Sequence, residues 1–204
     1  MTISEVIEVS AVITGAVYGV LLARRKNMDL VGIVSVAFMT AFGGGTLRDV
    51  LLDHHPLFWI RYSGYSVLVF LVAVGGSLVP RIPRQIEQSL AIPDALGLGL
   101  FSVAGTQAAL LAGTTPFVAT MFGVITGTFG GVIGDIVCNE IPSLFRPHTP
   151  LYATCAFVGS WTLFAGQWLN VPAEIGAAMA VSVTVAMRLI AVRWNICLSG
   201  HKTD

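Results

Sequence analysis

Charged residues are scarce in this sequence. Only 11% of its 204 residues are charged, the 11 basic residues balance the 11 acidic ones, and the mean hydropathy is +0.81. Soluble domains carry about 25% charged residues, so the composition excludes an ordinary soluble domain. The zero net charge gives no reason to expect a nucleic-acid partner.

Cysteines and catalytic motifs are also few. Cys138, Cys155 and Cys197 lie in or beside apolar runs without CxxC spacing, which is typical of buried small apolar side chains. The His54-His55 pair lacks an evident third metal ligand, so it predicts a polar loop and no metal site. The sequence contains no nucleophile elbow, P-loop or zinc-ligand set. We therefore expect neither an enzyme nor a protein with a cofactor.

Basic residues are missing before the first apolar run, which opens with Glu5 and Glu8. A signal peptide begins with basic residues, whereas here Arg24, Arg25 and Lys26 follow the run. We expect this run to be a transmembrane helix that remains in the protein.

The sequence contains many apolar runs that are long enough to cross a membrane as helices. A helix of about 20 residues crosses the hydrocarbon core of a bilayer, and the runs do not alternate as barrel strands do. The sequence predicts an all-α membrane protein, one transmembrane domain over 1–204, with seven transmembrane helices. The predicted helices are 5–23, 29–53, 64–80, 91–112, 116–140, 150–168 and 172–194.

The basic residues indicate the orientation of this domain. With the N-terminus outside, the outer side receives only Arg61. The cytoplasmic side then receives Arg24, Arg25, Lys26, Arg81, Arg84, Arg146, Arg193 and Lys202. Because Lys and Arg in short loops face the cytoplasm, we expect an outside N-terminus and a cytoplasmic C-terminus.

An internal repeat appears when 40–59 is laid over 126–145, an offset of 86 residues. The identical pairs are Thr40 with Thr126, Gly44 with Gly130, Gly45 with Gly131, Asp49 with Asp135 and Pro56 with Pro142. Each unit holds three helices, about 5–80 and 91–168, and 172–194 is an extra helix. A unit with an odd number of helices begins and ends on opposite sides of the membrane, so its copy runs through the membrane in the opposite direction. The sequence therefore predicts an inverted 3+3 repeat.

Consecutive glycines occupy the middle of the second and fifth predicted helices, at Gly43, Gly44 and Gly45 and at Gly130 and Gly131. An interior glycine costs a helix about 1 kcal/mol relative to alanine. We therefore predict kinks that interrupt both helices and line a pathway. The alternative is that the glycines only allow helices to pack closely.

Three charges follow these glycines inside the predicted spans: Arg48, Asp49 and Asp135. Ionisable residues at membrane depth usually face a bundle interior or a water-filled route. Asp49 also fits a capping box with Thr46 for the second half of a broken helix. Arg48 has no basic counterpart, and we expect it to pair with Asp49 or Asp135, either as a latch or as a structural ion pair.

The sequence resembles the bacterial trimeric intracellular cation (TRIC) channel family, which overlaps small bacterial membrane proteins described as glycine transporters. The resemblance lies in GGGTLRD with PLFWI, in GGVIGD followed by a proline, and in DALGLGLFSVAGTQAAL at 94–110. Bacterial members of that family often carry a basic residue where this chain has Gly134.

The resemblance implies a homotrimer in the inner membrane, embedded in lipid, with one potassium-conducting pore per protomer between the kinked second and fifth helices. The only ion expected is the permeating potassium, and bound lipid is a further expectation. Within this pore we expect the polar lining Thr40, Thr46, Arg48, Asp49, Thr126, Thr128 and Asp135.

A secondary transporter of a small zwitterion such as glycine remains the alternative function. It too would use an inverted repeat with interrupted helices, with a helix N-terminus for the carboxylate and Asp49 or Asp135 for the ammonium group. The low charge and the threonines of the second and fifth helices favour a channel, which needs weak and multiple ion contacts.

Overall fold

The computed structural model describes residues 3–79 and 90–197 of the chain. Within these residues the regular secondary structure consists of eight helices. They are α1 (Ile3–Arg25), α2 (Leu30–Leu51), α3 (Phe58–Arg61), α4 (Gly64–Leu78), α5 (Ala91–Leu111), α6 (Pro116–Val137), α7 (Ala153–Trp168) and α8 (Ala173–Trp194).

Each of the seven predicted segments coincides with one helix, and α3 is an additional single turn in a predicted loop. Among the described residues, α1, α2, α5, α6 and α8 are long and apolar enough to cross a membrane. Helices α4 and α7 have only 15 and 16 residues, so the count of seven spans stays a prediction. The predicted loop with Arg81 and Arg84, the end of the third segment at Pro80, and Lys202 lie outside the described residues.

Local signals explain where the central helices begin and end. Asp29 caps α2 by accepting the Gly32 N–H at 2.8 Å, and Pro116 starts α6 at a position where its missing N–H costs nothing. Just past the ends of α2 and α6, Asp53 and Asn139 adopt left-handed backbone with φ of 54° and 55°. These two positions are also 86 residues apart, so both helices end in the same way.

The predicted interruption of these helices at their glycines is wrong, because α2 and α6 each continue through them as one helix. A broken helix would leave backbone groups without partners in hydrocarbon, at several kcal/mol each, which outweighs the small cost of glycine. No helix begins at Thr46 for a capping box to cap. Its hydroxyl instead accepts the Trp59 indole N–H at 3.0 Å. A bend without a break stays a prediction.

Helices α2 and α6 contact each other at the centre of the bundle. Helices α1 and α4 pack against α2, whereas α5 and α7 pack against α6, so the two three-helix units have matching arrangements. Helix α8 lies outside this pattern and packs against α5 and α7. The fold thereby brings the two glycine segments into contact.

Candidate functional site

The crossing of α2 and α6 brings equivalent residues of the two units together. A Cβ on Gly44 would collide with the Thr126 carbonyl oxygen, and a Cβ on Gly130 would lie 2.5 Å from the Thr40 carbonyl oxygen. The contact is reciprocal, because Gly44 is equivalent to Gly130 and Thr40 to Thr126 at the repeat offset of 86 residues. As residue numbers rise along α2 they fall along α6, so the two helices run in opposite directions where they cross.

The other glycines of the two segments also lie against neighbouring groups that an added Cβ would crowd. A Cβ on Gly43 would meet α6, one on Gly45 would lie 2.5 Å from the Phe58 ring, and one on Gly131 would lie 3.1 Å from the Tyr152 hydroxyl. Close packing, the alternative interpretation of these glycines, therefore accounts for their presence in unbroken helices.

Two cavities open at opposite ends of the crossing. The Asp49 cavity, of about 300 Å³, is lined by Glu8, Arg48, Asp49 and other residues near the start of α1 and the end of α2. The Asp135 cavity, of about 520 Å³, is lined by Asp135 and residues near the ends of α1, α6 and α8. The two cavities have no lining residue in common.

A much smaller cavity of about 20 Å³ extends from the Asp135 cavity toward the crossing. It shares Asp94 and Tyr152 with the larger cavity, and it is bounded at the crossing by Thr40 and Gly130. It has no lining residue in common with the Asp49 cavity. The α2–α6 crossing therefore lies between the two wider spaces.

In the Asp49 cavity, Arg48 pairs with Asp49, as one of the two predicted pairings requires. The Arg48 Nε and Nη2 atoms lie 2.8 Å and 2.7 Å from Asp49 Oδ1, and Nη2 lies 3.7 Å from Glu8 Oε1. The guanidinium carbon is also 5.3 Å from the centre of the Phe58 ring, a cation–π distance. Arg48 and Asp49 are 4% and 3% exposed, so their charges compensate each other away from bulk water.

Asp49 and Asp135 each bind the segment that follows their helix, through a backbone N–H group. Asp49 Oδ2 accepts the Phe58 N–H at 2.7 Å. Asp135 Oδ2 accepts the Ser143 N–H at 2.8 Å and faces the Ser143 hydroxyl at 3.2 Å. Such bonds stabilise a buried carboxylate in its charged form. Each acid therefore ties the end of its helix to the segment that follows.

A second buried ion pair was not among the predicted site residues. Arg188 Nη2 and Nε lie 3.1 Å and 3.2 Å from Asp94 Oδ2, and the Tyr152 hydroxyl donates to Asp94 Oδ1 at 2.9 Å. Nη1 of Arg188 donates to the carbonyls of Pro150 and Leu151 at 2.9 Å and 3.0 Å. A signal existed: both charges lie inside apolar helices, where a charge needs a partner of opposite sign.

Ion pairs also join two loops at the mouth of the Asp135 cavity. Glu140 lies 2.6 Å from both Lys26 Nζ and Arg146 Nη2. The hydrogen bonds from these two cations, Lys26 first, lower the pKa of the Glu140 carboxyl below its usual value. The loop after α1 is thereby tied to the loop after α6.

The four predicted threonines have different surroundings. Thr40 lines the small cavity, and its hydroxyl lies 2.9 Å from both the Gly15 and the Val36 carbonyl oxygens, to either of which it can donate. Thr126 and Thr128 are buried and bond to carbonyls of the preceding turn of α6. Neither of them, nor Thr46, lines the two wide cavities or the small one.

Comparison with known proteins relates this arrangement to membrane proteins of similar length. A family model described as "Glycine transporter" matches residues 5–80 and 91–168. The UPF0126 inner membrane protein YadS of Escherichia coli K12 is 36% identical over 191 residues, covering 93% of this chain and 91% of that protein.

Two solved structures share the fold. A TRIC channel orthologue from Rhodobacter sphaeroides superposes with a TM-score of 0.89 and 32% identity, over 96% of this chain and all of that chain. Another TRIC cation channel superposes with a TM-score of 0.85 and 30% identity, over 98% of each chain. The chain thus matches the glycine-transporter family model over most of its length. It is a multi-pass membrane protein of the UPF0126 family, and it has the fold of bacterial TRIC channels.

Proposed function

We propose that the protein is a monovalent cation channel that prefers potassium, with one pathway per protomer along the interface of α2 and α6. The observation that carries this proposal is the pair of charged cavities that approach one helix crossing from opposite ends. Each cavity holds an aspartate, Asp49 or Asp135, at matching repeat positions. Carboxylates along a water-filled path favour cations over anions.

In this proposal, the structure with its tight α2–α6 crossing represents the closed state of the pathway. The crossing at Gly44 and Gly130 leaves no room even for a methyl group between the helices. A hydrated cation therefore passes only if α2 and α6 separate or rotate at this point. The absence of Cβ atoms allows the two helices to slide past each other, which makes this crossing the proposed gate.

Arg48 is the proposed latch at the Asp49 end of the pathway. Its pairing with Asp49 and Glu8 connects α2 to α1, and its positive charge faces the cavity. A fixed positive charge opposes cation entry, so conduction requires Arg48 to remain neutralised or to move aside.

The orientation, location and assembly follow as further parts of the proposal. We place the Asp135 cavity on the cytoplasmic side of the inner membrane, because Arg25, Lys26 and Arg146 line it and basic residues favour that side. The Rhodobacter sphaeroides relative is a trimeric channel, which supports a homotrimer surrounded by lipid for this chain.

The experiment is an ion-flux assay on the purified protein in liposomes. Potassium-loaded vesicles are expected to develop a negative interior potential, read with a voltage-sensitive dye, and Asp135→Asn is expected to slow this at least about threefold. Asp53→Asn is the matched control, because the Asp53 side chain is 97% exposed. Flux absent from folded wild-type protein, or equal in wild type and Asp135→Asn, contradicts the proposal.

A secondary transporter of a small zwitterion is the second candidate. It is favoured by the description of the matching family model and by the presence of both a carboxylate and a guanidinium in each cavity. Two cavities separated by a closed crossing also fit alternating access. Saturable uptake of labelled glycine by the same vesicles, without potassium flux, would select this function.

A further inference from the structure

The second unit lacks a basic residue at the position equivalent to Arg48, and that position is closely packed. The equivalent residue is Gly134, where a Cβ would lie 2.6 Å from Thr40 Cγ2 and 3.2 Å from Leu22 Cδ2. A side chain at this position would begin between Thr40 and Leu22, and both would have to shift to make room for it.

The charge cluster at the Asp49 cavity has four members. Glu8, on the first helix of its unit, lies 3.3 Å from the Tyr65 hydroxyl and 3.7 Å from Arg48 Nη2. Arg48 in turn pairs with Asp49, which lies at the end of α2. The cluster therefore combines an acid from the first helix, a tyrosine, an arginine and the aspartate at the helix end.

The Asp135 cavity contains the same kinds of group. Asp94, on the first helix of the second unit, lies 2.9 Å from the Tyr152 hydroxyl and 3.1 Å from Arg188 Nη2. Asp135 lines the same cavity. The arginine differs in two ways. It comes from α8, outside the repeat, and it pairs with the first-helix acid Asp94, whereas Arg48 is closest to the helix-end aspartate Asp49.

We propose that Arg188 is the second buried positive charge of the permeation pathway, the counterpart of Arg48, supplied by the extra helix in place of a side chain at residue 134. The proposal rests on the cation pathway proposed above. Arg188 neutralises Asp94, so that Asp135 is the carboxylate that attracts cations in this cavity. The ion pair thereby sets how readily cations enter from the Asp135 end compared with the Asp49 end.

This assignment predicts opposite electrical effects for the two partners of the ion pair. Arg188→Gln leaves Asp94 and Asp135 uncompensated, which raises the local cation concentration and increases current that enters from the Asp135 end. Asp94→Asn leaves the arginine uncompensated and decreases that current, while its amide oxygen can still accept the Tyr152 hydroxyl. The expected change in the ratio of currents at opposite voltages is at least about twofold in each direction.

A purely structural ion pair would not produce this pattern. Arg188 also donates to the Pro150 and Leu151 carbonyls, so Arg188→Gln lowers stability in either case. A structural role predicts that folded channels of both variants keep the wild-type current ratio. Arg188→Lys, which keeps the charge, and the charge-balanced Asp94→Asn/Arg188→Gln variant are expected to stay close to the wild-type ratio.

The test is current–voltage recording of the wild-type protein and these variants in planar bilayers with equal potassium chloride on both sides. Arg193→Gln is the control, because Arg193 is exposed near the end of the same helix. Shifts of opposite sign for Arg188→Gln and Asp94→Asn support the proposal. If Arg188→Gln does not fold, Asp94→Asn and Arg188→Lys decide: a reduced ratio for the first and an unchanged ratio for the second are expected.

The outcomes separate this proposal from the proposed function. A conducting wild type with unchanged ratios in the folded variants contradicts the role of Arg188 and leaves the channel intact. A folded wild type that conducts no cations contradicts the channel, and with it any role for Arg188 in permeation.

Discussion

At the scale of single residues, the proposed function rests on buried charged side chains. Burying a charge in a membrane protein is costly, and Arg48, Asp49 and Asp135 all lie at cavities where ions could be admitted. Two of them also hold loops through backbone N–H groups. In the proposed channel, these two carboxylates thus combine a structural with a functional role.

Replacing Arg48 with alanine tests the latch. Arg48→Ala removes the positive charge and the contact between α2 and α1, so we expect a higher open probability, by about threefold or more, in single-channel recordings. Arg61→Ala is the control, because Arg61 is an exposed residue at the same cavity. Gating and conductance equal to those of the wild type would show that the Arg48 ion pair is only structural.

The sequence predicts the charges at the site better than it predicts their partners. Arg48, Asp49 and Asp135 were identified because they follow glycines inside apolar runs. Glu8 and Asp94 were missed as partners, because pairing between helices depends on how each helix is rotated against its neighbour. Hydropathy and spacing along one chain do not determine that rotation.

At the scale of helices, the α2–α6 crossing is the feature that connects packing to the proposed gating. A run of glycines in a sequence can indicate either a bend or a close contact, because glycine both loosens the backbone and lacks a Cβ. The neighbouring helix decides between these meanings. Here the Thr126 and Thr40 carbonyls occupy the space that a Cβ would need.

The crossing predicts a large difference between two glycine-to-alanine substitutions. Gly44→Ala places a methyl group against the Thr126 carbonyl, and overpacking of this kind typically lowers the free energy of unfolding by about 1–3 kcal/mol. Gly75→Ala, on an exposed face of α4 with open space around the added methyl group, should raise it by up to about 1 kcal/mol. Unfolding in sodium dodecyl sulfate measures both, and equal effects would contradict the tight crossing.

The loops at the Asp135 mouth predict a dependence of stability on pH. The pKa of Glu140 is lowered in the folded protein by Lys26 and Arg146. The ionised Glu140 carboxylate therefore stabilises the folded protein fully above the usual carboxyl pKa. This contribution is lost as the pH falls through the lowered pKa of Glu140. Because the pairs are about one-third exposed, we expect a contribution of about 1 kcal/mol or less.

Comparing Glu140→Gln with the wild type by thermal unfolding measures this contribution. The difference should be present at neutral pH, shrink when salt is raised, and vanish in acid below the lowered pKa. Glu174→Gln, at an exposed residue near the start of α8, should show no such salt dependence. A Glu140→Gln difference that persists unchanged in strong acid would mean that the ion pairs are not its cause.

At the scale of the whole molecule, most of the architecture follows from apolar length and repetition. All seven predicted segments are helices, since runs of that length have few other solutions in a bilayer. The short α3 turn could not be predicted, because four residues carry no periodic signal. Opposite directions of the equivalent helices α2 and α6 agree with an inverted repeat, and each end of the crossing has its own cavity and its own arginine–carboxylate pair.

The central claim is that cations cross the membrane through this protein, and single-channel recording in a planar bilayer under a potassium chloride gradient tests it most directly. We predict discrete current steps that reverse near the potassium equilibrium potential. Folded protein that gives no steps, while the same preparation accumulates glycine in liposomes, would contradict the channel and identify a transporter in its place.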